Sequence, residues 1–192
     1  SLSASYALSY TGDRLHATAS IAHTSVENLA TLFVADNGVP TLTQLTEKGH
    51  VTALTFEAGW TLTEELKINF TGETFFYDDV MRSMYGIAPV EERFLLGFSW
   101  EHEKWNLRFD GVWTGPRDLQ SYGYEGYNNA ALTSPKPLTS PSYITLDARL
   151  EYQLTDAFSV FVGGKNLTDY TQVKNSNTPL FYDADGGYDV AY

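Results

Sequence analysis

A regular alternation of apolar and polar residues, in runs of about ten, dominates this sequence. In residues 51–62, for example, Leu54, Phe56 and Trp60 all fall on even positions, and polar residues or glycine lie on the odd positions between them. Successive side chains of a β-strand point to opposite faces. Each such run therefore predicts a strand with one apolar and one polar face.

The alternation predicts eight strands, arranged as four pairs. The predicted strands are residues 2–11, 14–25, 51–62, 66–77, 93–101, 105–114, 143–154 and 158–167. Short turns join the two strands of each pair, whereas the segments between pairs, residues 26–50, 78–92 and 115–142, are much longer than ordinary hairpin loops. Short turns at one rim and long loops at the other are typical of an outer-membrane barrel.

The fold class predicted is all-β: a segment of an antiparallel up-and-down transmembrane β-barrel, with long extracellular loops. The composition agrees, because 13 Tyr, 11 Phe and 4 Trp supply rings for the two membrane interfaces. An apolar run near the ~20 residues of a membrane helix is absent from the sequence. The side chains expected to face lipid are Leu54, Phe56, Ile68, Phe70, Phe94, Phe98, Leu107 and Phe109. Those expected to face the lumen are Arg108, Asp110, Arg149 and Glu151.

Three alternatives remain open at the level of the sequence. The first is a complete small eight-stranded outer-membrane barrel with a binding or structural role. The second is a soluble β-domain, since soluble sandwiches also alternate apolar and polar residues. The third is an outer-membrane lipid hydrolase, for which His16 and Ser20 on one predicted face offer little support.

Charge and composition bound the function further. A net charge of -12 opposes binding to nucleic acid, whose phosphates repel an acidic surface. With no cysteine, thiolate metal sites and thiol chemistry are excluded. The four histidines lack metal-ligand spacing, and we interpret them as solvated or lumen-facing. Because neither a nucleophile elbow nor a phosphate loop occurs, the sequence predicts neither an enzyme nor a cofactor or metal site.

The last third of the chain resembles the carboxy-terminal region of TonB-dependent outer-membrane receptors. The resemblance is most specific over residues 143–172 and includes a G-x-x-N-L-x-D element from Gly163 to Asp169. Within it, Asn166 follows two glycines and precedes a turn, so its side-chain amide is expected to bond local backbone and cap the strand end. Residues 181–192 look like the approach to a final strand.

The resemblance implies that the parent protein imports a scarce nutrient of the metal-chelate (siderophore) or cobalamin class. It further implies outer-membrane lipid around the barrel, a plug domain in the lumen, and an energy-transducing TonB protein that acts through the plug. Family barrels have about 22 strands. We therefore expect residues 1–192 to be a single barrel segment without the plug, completed by further strands and unable to close by itself.

The best candidate for ligand capture is the loop of residues 121–129, in which tyrosine alternates with glycine. Tyrosine rings present large amphipathic surfaces at little entropic cost, and glycine lets the backbone adapt to a ligand. A small-molecule ligand is thus predicted to contact Tyr122, Tyr124 and Tyr127. The competing interpretation, a surface loop folded on its own rings, is equally compatible with the sequence.

Overall fold

The computed structural model describes residues 1–28, 30–34, 40–44, 46–84, 89–118, 121, 139–171, 180–182 and 188–190. Almost all of its regular structure is β. In chain order the elements are β1 (Leu2–Thr11), β2 (Leu15–Val26), β3 (Ala30–Val34), β4 (Pro40–Gln44), β5 (Gly49–Thr61), β6 (Leu66–Tyr77), α1 (Asp79–Met84), β7 (Glu92–His102), β8 (Trp105–Thr114), β9 (Arg117–Asp118), β10 (Thr139–Ser140), β11 (Tyr143–Thr155), β12 (Phe158–Gly164), β13 (Leu180–Tyr182) and β14 (Tyr188–Val190).

The eight long strands form one antiparallel sheet in the order β1-β2-β5-β6-β7-β8-β11-β12. Each strand pairs with the next long strand along the chain, which is the up-and-down arrangement predicted. Among the described residues β1 and β12 are the two edges of this sheet, so it is an open stretch of barrel wall. Seven of the eight predicted strands agree with the structure to within two residues at each end.

The pairing register places all predicted apolar positions on one face. Phe98 lies opposite Ile68 on one side and Phe109 on the other, and this correspondence runs through the whole sheet. We call this the apolar face; it carries Leu54, Phe56, Ile68, Phe70, Phe94, Phe98, Leu107 and Phe109. The opposite, polar face carries Arg108, Asp110, Arg149 and Glu151, as predicted.

The apolar face is largely uncovered in the part of the chain that the structure describes. Phe56 is 44% exposed and Leu96 is 52% exposed, although both lie in interior strands. A soluble sandwich would bury such side chains against a second sheet. An apolar face of this extent, exposed on eight strands, is the surface that a barrel turns to lipid.

Tryptophans mark both ends of the apolar face. Trp60, Trp100 and Trp105 lie at the end with the short turns, and the Trp105 ring packs on Tyr152 with centroids 4.4 Å apart. Trp113 lies at the opposite end and stacks on Phe94 at 5.1 Å. Rings at two levels, as predicted from the sequence, are the arrangement expected at the two membrane interfaces.

Short elements occupy the rim with the long loops. The hairpins β3–β4 and β9–β10 arise within the first and third loops. Helix α1 begins after Asp78, whose Oδ1 accepts a hydrogen bond of 2.8 Å from the backbone N–H of Met81. The buried Met81 side chain packs on Gly49, where a Cβ atom would lie 2.6 Å from the methionine sulfur. Helix α1 is thereby fixed against the start of β5.

One sequence prediction about the end of the last long strand is wrong. The last predicted strand ends at Gly164 rather than Leu167, because Asn166 has a positive φ of 48° and opens a turn closed by a 2.8 Å hydrogen bond from Asp169 N–H to its carbonyl oxygen. In the tail, β13 and β14 pair with each other outside the long sheet, and the approach of residues 181–192 to a final strand stays a prediction.

Candidate functional site: the polar face and the rim of long loops

The predicted ligand-capture residues Tyr122, Tyr124 and Tyr127 lie outside the described residues, whereas the base of their loop lies within them. Hairpin β9–β10 carries the chain out from the sheet and back. Thr114, Arg117 and Ser140 are all buried there, and Ser140 is only 1% exposed. The Arg117 backbone N–H donates to the Ser140 hydroxyl at 3.1 Å. The chain therefore enters and leaves the tyrosine-rich loop through buried, hydrogen-bonded residues.

The G-x-x-N-L-x-D element forms a hydrogen-bonded turn on the end of β11. The Asn166 side chain donates to the Tyr170 carbonyl at 2.9 Å and accepts from the Tyr170 N–H at 3.1 Å. The backbone N–H of Asn166 donates to Asp147 at 2.8 Å, and the Thr168 hydroxyl donates to the Ile144 carbonyl. The predicted capping role of Asn166 is confirmed. Its link to Asp147 was not predicted, because the two residues are 19 positions apart.

On β8 and β11 the polar face bears what we call the charged strip: Arg108, Asp110, Asp147, Arg149 and Glu151. Its ion pairs run along single strands. Arg108 Nε lies 2.8 Å from Asp110, and Arg149 Nη2 lies 2.9 Å from Glu151. The Arg149 guanidinium also sits over the Phe161 ring, 4.2 Å from its centroid.

On β1 and β2 the same face bears small side chains, mostly hydroxyls, which we call the hydroxyl strip. Its members are Ser3, Ser5, Ser9, Thr11, Thr18, Ser20 and Thr24. Ser3 and Thr24 share a hydrogen bond of 2.9 Å across the two strands, and Ser9 and Thr18 share one of 3.0 Å. Here the polar contacts cross between strands.

The histidines divide between the faces. His16 lies on the polar face and its ring covers Gly59, which agrees with the prediction of a solvated or lumen-facing histidine. His23 lies on the apolar face, where it is exposed and stacks on His50 with ring centroids 5.3 Å apart. Seven residues, an odd number, separate His16 from His23, so the two side chains point to opposite faces.

The two residues considered above for a lipid hydrolase, His16 and Ser20, are not in contact. His16 and Ser20 do share the polar face, but four residues along a strand separate them by about 13 Å, too far for a hydrogen-bonded base and nucleophile. Within the described parts of the chain, no group of three or more histidine or acidic side chains converges as a metal site would require. Nor do these parts contain a helix long and apolar enough to cross a membrane.

An ion pair ties the base of the first long loop. Lys48 Nζ lies 2.8 Å from Glu27 Oε1, and both side chains are about half exposed. The hydrogen bond from Lys48, and then its charge, lower the pKa of the Glu27 carboxyl below its ordinary value of 4.5. This pair joins the residue after β2 to the residue before β5.

Together, these features define a class of protein. An antiparallel meander with one continuous apolar face, one polar face, two levels of tryptophan and long loops at one rim is a segment of a transmembrane β-barrel wall.

The comparisons with known proteins identify the family. The sequence profile described as "TonB dependent receptor-like, beta-barrel" matches residues 1–167. The chain therefore belongs to the TonB-dependent receptor β-barrel family, as the resemblance over the last third of the sequence predicted. A comparison with curated proteins found no match.

Solved structures of similar fold are large outer-membrane receptors and transporters. The copper transporter OprC is 16% identical, with a TM-score of 0.63 over 88% of this chain and 25% of its own. The siderophore receptor PirA from Acinetobacter baumannii is 15% identical, with a TM-score of 0.61 over 91% and 29%. The pyoverdine outer-membrane receptor FpvA from Pseudomonas aeruginosa PAO1 is 17% identical, with a TM-score of 0.61 over 88% and 26%. The chain thus spans about a quarter of the length of these structures.

Proposed function

We propose that residues 1–192 form part of the barrel wall of an outer-membrane receptor that imports a scarce nutrient of the metal-chelate or cobalamin class and is not an enzyme. In this role the apolar face contacts outer-membrane lipid and the polar face lines the lumen. The plug domain and the remaining barrel strands are supplied by the rest of the receptor. Transport is energised by a TonB protein acting through the plug.

One observation carries the proposal: the side chains expected to face lipid share one face of the long sheet, and most of the charged side chains of the strands share the other. Phe94, Phe98 and Trp100 on β7 alternate with Arg93 and Ser99, and β8 continues the same order. A wall with water on both sides would gain nothing from so many rings on one face. A wall between lipid and a wet lumen requires this separation.

The orientation of the faces can be tested with neighbouring residues of β7. In the full receptor, Phe98→Cys and Ser99→Cys would each be labelled with the same fluorophore; the described chain contributes no competing cysteine. We expect brominated lipid to quench the label at position 98 and a water-soluble quencher to act on the label at position 99. Equal quenching of both labels by the aqueous quencher would contradict the proposed membrane wall.

The tyrosine-rich loop is the proposed site of ligand capture, with Tyr122, Tyr124 and Tyr127 as its anchors. Two points support it: the aromatic composition of the loop, and the buried base formed by Thr114 and Ser140, which would hold the loop in place. Aromatic anchors concentrate binding energy, so at least one single alanine variant should weaken binding by about 2 kcal/mol or more.

Uptake and binding can be measured separately in cells that depend on the full receptor. The probes are copper, a ferric catecholate and ferric pyoverdine, tested one at a time. These solutes are named in the descriptions of transporters and receptors of similar fold. For the probe that is taken up, the triple tyrosine-to-alanine variant should lose surface binding at normal surface expression. A triple variant that binds normally would exclude this loop and direct the search to the loop of residues 26–50 or 78–92.

A further inference from the structure

The register of β8 and β11 places like charges directly opposite each other. Arg108 is the cross-strand partner of Arg149, and one pair further along Asp110 is the partner of Asp147. Directly opposed Cβ atoms in an antiparallel pair are about 4.5–5.5 Å apart, and like charges at that position destabilise the pair. Such a local conflict in an otherwise consistent sheet marks a position where function outweighs stability.

The two aspartates already have donors within the protein. Asp110 accepts from Arg108 Nε, and Asp147 accepts from the backbone N–H of Asn166, each at 2.8 Å. These bonds compensate both carboxylates, so the opposed pair of acids does not need a cation.

The two arginines, in contrast to the aspartates, keep N–H donors beyond those used in their ion pairs. Each guanidinium carries five N–H donors. Among the contacts of the described residues, Arg108 uses Nε for Asp110 and Arg149 uses Nη2 for Glu151. The Phe161 ring packs against one face of the Arg149 guanidinium. The side chains remain 68% and 52% exposed, so the two forks retain donors and can be reached from the lumen side.

The arginines line a groove of about 440 Å³ between β8, β11 and the end of β12. Lys165 adds a third cation to its wall, and Phe161 and Gly163 provide apolar surface. Gly163 stands directly opposite Arg149, and the two strands approach so closely there that a Cβ on residue 163 would lie 2.9 Å from the Ala148 carbonyl oxygen. The groove lining therefore holds three basic residues, Arg108, Arg149 and Lys165, beside the two acidic residues Asp110 and Asp147, in a volume typical of small-molecule sites.

We propose that this groove binds the oxyanion group, carboxylate or phosphate, of a small solute, held between the guanidinium groups of Arg108 and Arg149. The bound anion removes the repulsion between the two arginines and accepts their remaining N–H donors, an arrangement suited to planar carboxylate and phosphate recognition. That the groove opens to the lumen rests on the proposed function; anion binding itself does not.

The test uses the full receptor purified in detergent, with inorganic phosphate and acetate as separate probes in isothermal titration calorimetry. Sodium chloride holds the ionic strength constant. We expect saturable binding of at least one probe, weakened about tenfold or more by Arg149→Gln, since a hydrogen bond to a charged group contributes about 1.5–3 kcal/mol. Arg108→Gln should weaken binding similarly. Arg93→Gln is the matched control, because Arg93 lies on the same face and is paired with Glu73 across strands; it should bind like the wild type.

Three results would overturn the proposal. The first is equal affinity in wild type and both groove variants. The second is no binding beyond that of chloride, which would also be observed if an acidic segment of the receptor already filled the groove. The third is a loss in Arg93→Gln equal to that in Arg149→Gln, which would indicate a diffuse charge effect. Failure of the proposed wall function would appear instead as aqueous quenching at position 98, with anion affinity unchanged.

Discussion

The hydroxyl strip and the charged strip share one face of one sheet, yet they are held in opposite ways. In the hydroxyl strip, polar side chains bond across strands, as Ser9 does with Thr18. In the charged strip they bond along strands, as Arg108 does with Asp110, and like charges meet across the strands. The first arrangement joins neighbouring strands, and the second leaves cations available beside the groove.

The contrast shows that alternation fixes which face a side chain joins but does not fix what it does there. Small hydroxyls satisfy one another and contribute modestly to strand pairing. Charges can satisfy partners two residues away on the same strand and still present donors outward. In the proposed receptor, the hydroxyl strip mainly joins neighbouring strands, and the charged strip is the part of the wall proposed to contact a solute.

The largest expected effect tests whether both strips belong to the face that avoids lipid. Phe98→Arg places a charge mid-strand on the apolar face and should lower the free energy of unfolding by about 2–4 kcal/mol in lipid. Ser20→Arg, in the hydroxyl strip, should change it by no more than about 0.5 kcal/mol, because a wet surface tolerates a charge. Both values come from denaturant titrations of the receptor refolded in vesicles, and comparable losses for the two variants would remove the distinction between the faces.

A smaller effect is expected where the charged strip is tied to the N-L-x-D turn. Asp147→Ala removes the acceptor for the Asn166 N–H and should cost about 1–3 kcal/mol. Asp147→Asn keeps an acceptor oxygen and should lose clearly less. Hydrogen exchange at the Asn166 amide provides a local measurement, and unchanged protection in the alanine variant would show that the bond contributes little.

Double-mutant cycles compare the two kinds of contact directly. The coupling between Ser9 and Thr18 should be about 0.2–1 kcal/mol and insensitive to salt, because neither side chain is charged. The coupling between Arg108 and Asp110, both exposed, should be of similar or smaller size and should fall as salt rises. A Ser9–Thr18 coupling that falls with salt, or an Arg108–Asp110 coupling that does not, would contradict the description of the first contact as a neutral hydrogen bond and of the second as an ion pair.

The smallest effect concerns the ion pair outside both strips. Because the pKa of Glu27 is lowered in the folded state, its contribution to stability is present above the unfolded value and is lost as pH falls through the folded pKa. In Lys48→Gln, an NMR titration should therefore show the Glu27 pKa rising toward 4.5. A Glu27 pKa that is the same in both proteins would mean that the pair does not persist in solution.

The fold was predictable because successive side chains of a strand alternate between the two faces of the sheet whatever the strand packs against. Positions such as Phe98 and Arg108 fell on the predicted faces, and seven strands ended within two residues of prediction. Helix α1 and hairpin β3–β4 were not predicted, since elements of five or six residues have too little pattern of their own. The end of β12 was missed because Asn166 adopts a positive φ, which its residue type permits but does not require.

The candidate site was less predictable because it depends on register. The sequence placed Arg108 and Arg149 on one face, but only the pairing of β8 with β11 shows that they are directly opposed. Likewise the link from Asp147 to Asn166 joins residues that no local pattern connects. The tyrosine-rich loop remains a prediction from composition, now with a buried base at Thr114 and Ser140.

The two-face pattern of the sheet also bears on assembly. If β8 paired with its neighbours one residue out of step, every side chain on it would change face, and Arg108 and Asp110 would enter hydrocarbon while Phe109 entered water. A folding intermediate with β8 in the wrong register is therefore higher in free energy than one with β8 in the native register. The alternation of apolar and polar residues therefore itself disfavours insertion of β8 in the wrong register.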